Sequence, residues 1–119
     1  MIAAPSLHRE VSDTLLSMED SLAELLGAKA ALAEAMRDAA AASHRLAFAE
    51  AQALADGIEG KNEAARQAAL KLKLQDEHEA VFTCEAELSR KKLSAEVAFL
   101  QHQALRYKLR AFEVLTREA

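Results

Sequence analysis

Residues 56–63 read Asp56-Gly57-Ile58-Glu59-Gly60-Lys61-Asn62-Glu63, and they hold two of the three glycines in a chain of 119 residues. The only proline, Pro5, stands near the start, and the third glycine, Gly27, stands alone in a helical pattern. Glycine and proline are the strongest local breakers of regular structure. Their clustering near the midpoint divides the chain into two long uninterrupted arms. Gly57 suits the left-handed position that closes a helix, because it has no Cβ to clash there. Asn62 suits the N-cap of a following helix, with the Glu63 carboxylate favourably placed in the first turn. The stretch therefore reads as helix stop, short loop and helix start.

Working outward, the arms are helical. Alanine supplies 28 residues, and there are five aromatics and no tryptophan. Alanine is the best helix former. That composition excludes a β-sandwich, a disulfide scaffold, collagen and a disordered tail. The first helix is expected over about residues 7–55, with Ser6 as its N-cap, the turn over 56–62, and the second helix over about 63–117. Residues 1–119 form a single domain in this reading. Helices of this length would be roughly 75 and 80 Å long, and neither is stable in water without an apolar face that something else covers.

Apolar spacing supplies those faces. In the first arm a three–four alternation runs through Leu15, Met18, Leu22, Leu25, Lys29, Leu32, Met36, Ala39, Ser43, Leu46, Glu50 and Ala53. In the second it runs through Leu70, Leu74, Glu77, Val81, Cys84, Leu88, Lys91, Ala95, Ala98, His102, Leu105, Leu109, Phe112 and Thr116. This is a heptad-like seam, not the alternation of a strand. The fold class that follows is all-α, a coiled-coil-like antiparallel two-helix hairpin. Folding about residue 59 would bring Leu25 near Leu93, Met18 near Leu100 and Val11 near Tyr107. Residues 10–24 carry Glu10, Asp13, Glu19, Asp20 and Glu24 and no base, whereas the opposing arm carries Arg106, Lys108 and Arg110. Acid against base fits this antiparallel register.

The second arm has a further row, Leu93, Val97, Leu100, Ala104, Tyr107, Ala111 and Val114, with no polar interruption. It is rotated about 100° from the seam, so the combined apolar stripe is too wide for one partner helix. These seven residues are the expected dimer interface, and two hairpins are expected to close into a four-helix bundle as a homodimer. The stretch 28–55, half alanine, suits close helix approach.

Little in the sequence points to catalysis. Four histidines are present, and the fold-back brings His44 within about a turn of His78, with Asp76, Glu77 and Glu79 nearby in sequence. A dinuclear four-helix site would need Glu-x-x-His pairs, and the residues three before the histidines are Pro5, Ala41, Gln75 and Phe99. Cys84 is the only cysteine, so it makes neither an intramolecular disulfide nor a structural zinc site. It reads as a small seam residue, because no partner base stands at a suitable spacing. Gly60-Lys61 lacks the earlier glycine of a phosphate-binding loop. No catalytic residue, metal ligand or cofactor is expected. The formal charge is −4, which does not favour general nucleic-acid binding. One local cluster, Arg90, Lys91, Lys92, Arg106, Lys108 and Arg110 against Glu96, makes a weak nucleic-acid contact the alternative function. No stretch suits a transmembrane helix, and the first residues lack the pattern of a secretory signal. A cytoplasmic protein without membrane contact is expected.

The segment from Ile58 to Ala68, with Gly60-Lys61-Asn62 and then Arg66, resembles a turn between two long helices in small all-helical proteins of bacteriophages and prophages. That resemblance implies an accessory role in DNA recombination or replication, exercised through a protein partner. An inhibitor of a host enzyme or defence complex, using the acidic first helix as a charge mimic, is a further alternative.

Overall fold

A computed structural model describes residues 4–118. Residues 1–3 and Ala119 lie outside the described residues. Three helices follow one another: α1 (Ala4–Asp56), α2 (Glu63–Lys73) and α3 (Gln75–Glu118), with no strand among the described residues.

α1 begins earlier than expected. Helix is already present at Ala4, so Ser6 lies inside the first turn and is not the N-cap. At the other end Gly57 takes φ +88°, and its N–H donates to the Leu54 carbonyl at 3.3 Å. The left-handed closure expected of Gly57 is therefore present.

Asn62 caps α2 as expected. Its backbone is extended, and its side-chain oxygen accepts from the Ala65 N–H at 2.8 Å. Gly60 sits against the same turn. A Cβ built there would lie 2.8 Å from the Arg66 nitrogen and 3.1 Å from the Ala65 carbonyl carbon.

The second arm is two helices, not one. The break falls at Leu74, with φ −105° and ψ 24°. Hydrogen bonding continues on both sides, from the Leu74 N–H to the Leu70 carbonyl and from the His78 N–H to the Leu74 carbonyl, each 3.0 Å. Neither glycine nor proline stands there, so the sequence carries no breaker to announce it. What marks the residue is burial, because Leu74 is 4% exposed.

The described residues divide into two compact units. One joins the residues up to Ala31 with those from Lys92 onward, and the other spans Leu32–Lys91. In the first unit, Val11, Thr14, Met18, Ser21 and Leu25 of α1 and Ala95, Ala98, His102, Leu105, Leu109 and Phe112 of α3 are buried or half-buried. Contacts advance in opposite directions along the two helices: Ser21 meets His102, Met18 shares a groove with Arg106 and Leu109, and Val11 shares one with Phe112 and Thr116. In the second unit the buried set is Ala35, Ala39, Ala42, Ala53 and Leu74, with Leu46, Val81, Cys84 and Leu88 half-buried.

Two expectations need correction. Ser21 stands against His102, whereas a fold about residue 59 would set it against Val97, so the register is displaced by five residues. The loop runs asymmetrically past residue 59 to Asn62, whose cap fixes where the second arm starts. The buried row of α1 also differs in phase. Met18, Leu25, Leu32, Ala39, Leu46 and Ala53 lie inside as expected, but the alternate row is Thr14, Ser21, Ala28, Ala35, Ala42 and Ala49. Leu15, Leu22, Lys29, Met36 and Ser43, one residue further on, are exposed. Small side chains let two helices approach more closely than leucines do, and the larger side chains are turned outward.

Candidate interaction surface

Among the described residues no ion pair bridges two helices. Among the described residues the ion pairs are Glu87 with Arg90 and Glu87 with Lys91, the latter at 3.5 Å, both within α3. Among the described residues the acid–base matching expected between α1 and α3 is not made. In the first unit, Asp20 and Glu24 line a groove with Ser17, Gln101, Ala104 and Leu105. Arg106 and Arg110 line another, with Met18, Leu109 and Glu113. Helical phase explains the separation. Asp20 and Glu24 each precede a seam residue, Ser21 and Leu25, whereas Arg106 and Arg110 each follow one, Leu105 and Leu109. In an antiparallel pair, positions preceding the seam gather on one side and positions following it gather on the other.

The six bases of the candidate nucleic-acid cluster are likewise dispersed. Arg90 and Lys91 share Glu87 in the second unit. In the first unit Arg106 and Arg110 share a groove. Lys92 is exposed and follows the half-buried Lys91 as Arg106 follows Leu105. Lys108 lies the other way, with Nζ 5.9 Å from the centre of the Phe112 ring.

All seven residues of the row expected at a dimer interface are exposed: Leu93, Val97, Leu100, Ala104, Tyr107, Ala111 and Val114. Leu93 and Tyr107 are each more than 60% exposed. Val97, Ala104 and Ala111 precede seam residues, so this row lies toward the side of Asp20 and Glu24. A second apolar face was not foreseen. Leu15, Leu22 and Leu26 of α1 and Phe99 of α3 are all exposed, and each follows a seam residue. The signal for it was the small polar residue directly before Leu15 and Leu22, Thr14 and Ser21, which a ranking by hydrophobicity passes over.

Among the described residues no group of three or more His, Cys, Asp or Glu side chains is placed to hold a metal ion. His44 is exposed and His78 half-buried. Cys84 is free and half-buried. A groove in the second unit is lined by Lys71, Gln75, His78, Glu79, Phe82 and Thr83, beside the break at Leu74. Among the described residues no helix is long and apolar enough to cross a membrane. No protein-family model matches the chain, and no match was found among curated proteins or solved structures.

Proposed function

We propose that this chain is a non-enzymatic helical interaction protein of the cytoplasm. In this reading it is an antiparallel hairpin that pairs with a second copy to form a four-helix bundle and presents the remaining helix faces to a protein partner. The observation that carries the reading is the exposure of the row from Leu93 to Val114 over six helical turns without a charge. Supporting it, the buried residues are mostly alanine, with Leu25, Leu74 and Phe112 the larger exceptions. A core of small side chains gives limited stability, since burial of apolar surface contributes about 25 cal/mol per Å². Covering Leu93, Val97, Leu100, Tyr107 and Val114 adds the larger share that the hairpin lacks. Exposed contiguous apolar area of this kind marks interaction sites.

The experiment is light scattering on the full chain at tens of micromolar. A dimer or larger species is expected, and Val97→Glu with Leu100→Glu is expected to lower its mass while the helical circular dichroism is kept. A monomeric wild type refutes the reading.

A further inference from the structure

The face formed by Leu15, Leu22, Leu26 and Phe99 is distinct from the Leu93–Val114 row. The first three follow the seam residues Thr14, Ser21 and Leu25, and Phe99 follows Ala98, so in this antiparallel unit they share one side. They are 46%, 45%, 60% and 46% exposed, respectively. The groove holding Met18, Arg106, Arg110 and Glu113 lies on that side. Glu19 and Lys29 of α1, and Glu96 and Arg106 of α3, occupy equivalent phases, each following a seam residue. No ion pair among the described residues uses any of these four charges.

We propose that this face binds a second copy of this chain about a two-fold axis parallel to the helices. The argument is self-complementarity. A two-fold axis in that direction leaves heights along the helices unchanged and sets α1 of one copy antiparallel to α3 of the other. The level is the one fixed by Ser21 opposite His102. Leu22 and Leu26 then stand on either side of Phe99 of the second copy. Glu19 comes within about one helical turn of Arg106 of the second copy, and Lys29 within about one turn of its Glu96. Opposite signs meet at both places, and the two-fold axis repeats each pairing. A surface built for nucleic acid would be uniformly basic. This one interleaves Glu19, Glu96 and Glu113 with its bases, which suits a partner carrying the same alternation. The contact goes beyond the reading above, because it needs no residue of the Leu93–Val114 row. A chain that uses both faces forms a species larger than a dimer, closed as a tetramer where the two two-fold axes cross at a right angle and open otherwise.

Sedimentation equilibrium on the full-length chain tests this, with wild type beside two variants, Leu22→Glu/Leu26→Glu and Val97→Glu/Leu100→Glu. A wild-type species larger than a dimer that each variant reduces to a dimer is the expected result. A wild-type dimer lost in Leu22→Glu/Leu26→Glu and kept in Val97→Glu/Leu100→Glu supports this face and removes the other row as an interface. A dimer with the reverse pattern overturns this inference and leaves the earlier reading standing. A monomeric wild type overturns both. Charge reversal keeps the test valid if the leucine variant loses helix. Glu19→Arg is expected to raise the dissociation constant at least threefold and Glu19→Arg/Arg106→Glu to restore it. Equal dissociation constants in all three proteins overturn the proposed pairing.

Discussion

Ser21 and His102 meet across the first unit, with Oγ 3.3 Å from Nδ1. Ser21 is 8% exposed and His102 half-buried. Among the described residues this is the one side-chain hydrogen bond between residues more than four apart. A polar pair in a seam of alanines and leucines costs desolvation whenever it is not matched. Sliding the helices by one heptad would set Ser21 against Ala95 or Leu109, neither of which can match its hydroxyl, so the pair favours a single register.

A double-mutant cycle on Ser21→Ala and His102→Ala, followed by urea denaturation, is expected to give a coupling of about 0.5–1.5 kcal/mol, the usual net value of an internal hydrogen bond. A coupling of zero would mean that the two groups do not interact in solution.

Packing phase gives a second expectation. Ala42 is 1% exposed, whereas Ser43, placed on the seam by hydrophobic spacing, is exposed. Ala42→Leu is expected to destabilise by about 1–3 kcal/mol through overpacking, and Ser43→Leu to change stability by about 0.5 kcal/mol or less. If Ser43→Leu proved the more harmful, the seam would follow the other row.

That contrast shows which parts of the fold were legible. In the second arm, every position of the apolar series from Leu70 to Phe112 is buried or half-buried, and only Thr116 departs. There the three–four alternation coincides with the row that is covered, so periodicity alone finds the face. In α1, alanine or a small polar residue stands directly before Leu15, Leu22 and Met36, and two adjacent rows compete. Hydrophobicity favours the leucines, while close helix approach favours the small residues. The Gly57 and Asn62 roles were legible because each depends on local backbone chemistry. The break at Leu74 was not, because no glycine or proline marks it, and the register at Ser21 was not, because it joins residues 81 apart in sequence. The candidate interface row was visible as a pattern. The second face was hidden because two of its leucines, Leu15 and Leu22, had been assigned to the interior.

Gly27 offers a gain in stability. It lies within α1, and a Cβ added there meets nothing within 4 Å. Gly27→Ala is expected to stabilise by about 0.5–1 kcal/mol, since alanine loses less backbone entropy on entering a helix. Thermal unfolding followed by circular dichroism reads this as a higher midpoint. A lower midpoint would mean that another chain packs closely against this position.

The loop supplies a graded set of variants. Asn62→Ala removes the acceptor for the Ala65 N–H and is expected to cost about 1 kcal/mol, while Asn62→Asp keeps an acceptor at a helix N-terminus and is expected to cost little. Gly57→Ala places a Cβ at φ +88°, with an expected cost of about 1–2 kcal/mol. Gly60→Ala acts differently. Its Cβ would lie 2.8 Å from the Arg66 backbone nitrogen, and backbone cannot move aside as a side chain does. The first turn of α2 must shift, and the Asn62 cap shifts with it. Gly60→Ala is therefore expected to abolish the benefit of the cap, so that adding Asn62→Ala to it costs less than Asn62→Ala alone. Urea titration of the two single variants and the double variant reads that difference directly. Additive losses would show that the close approach of Gly60 to Arg66 is relieved without disturbing the cap.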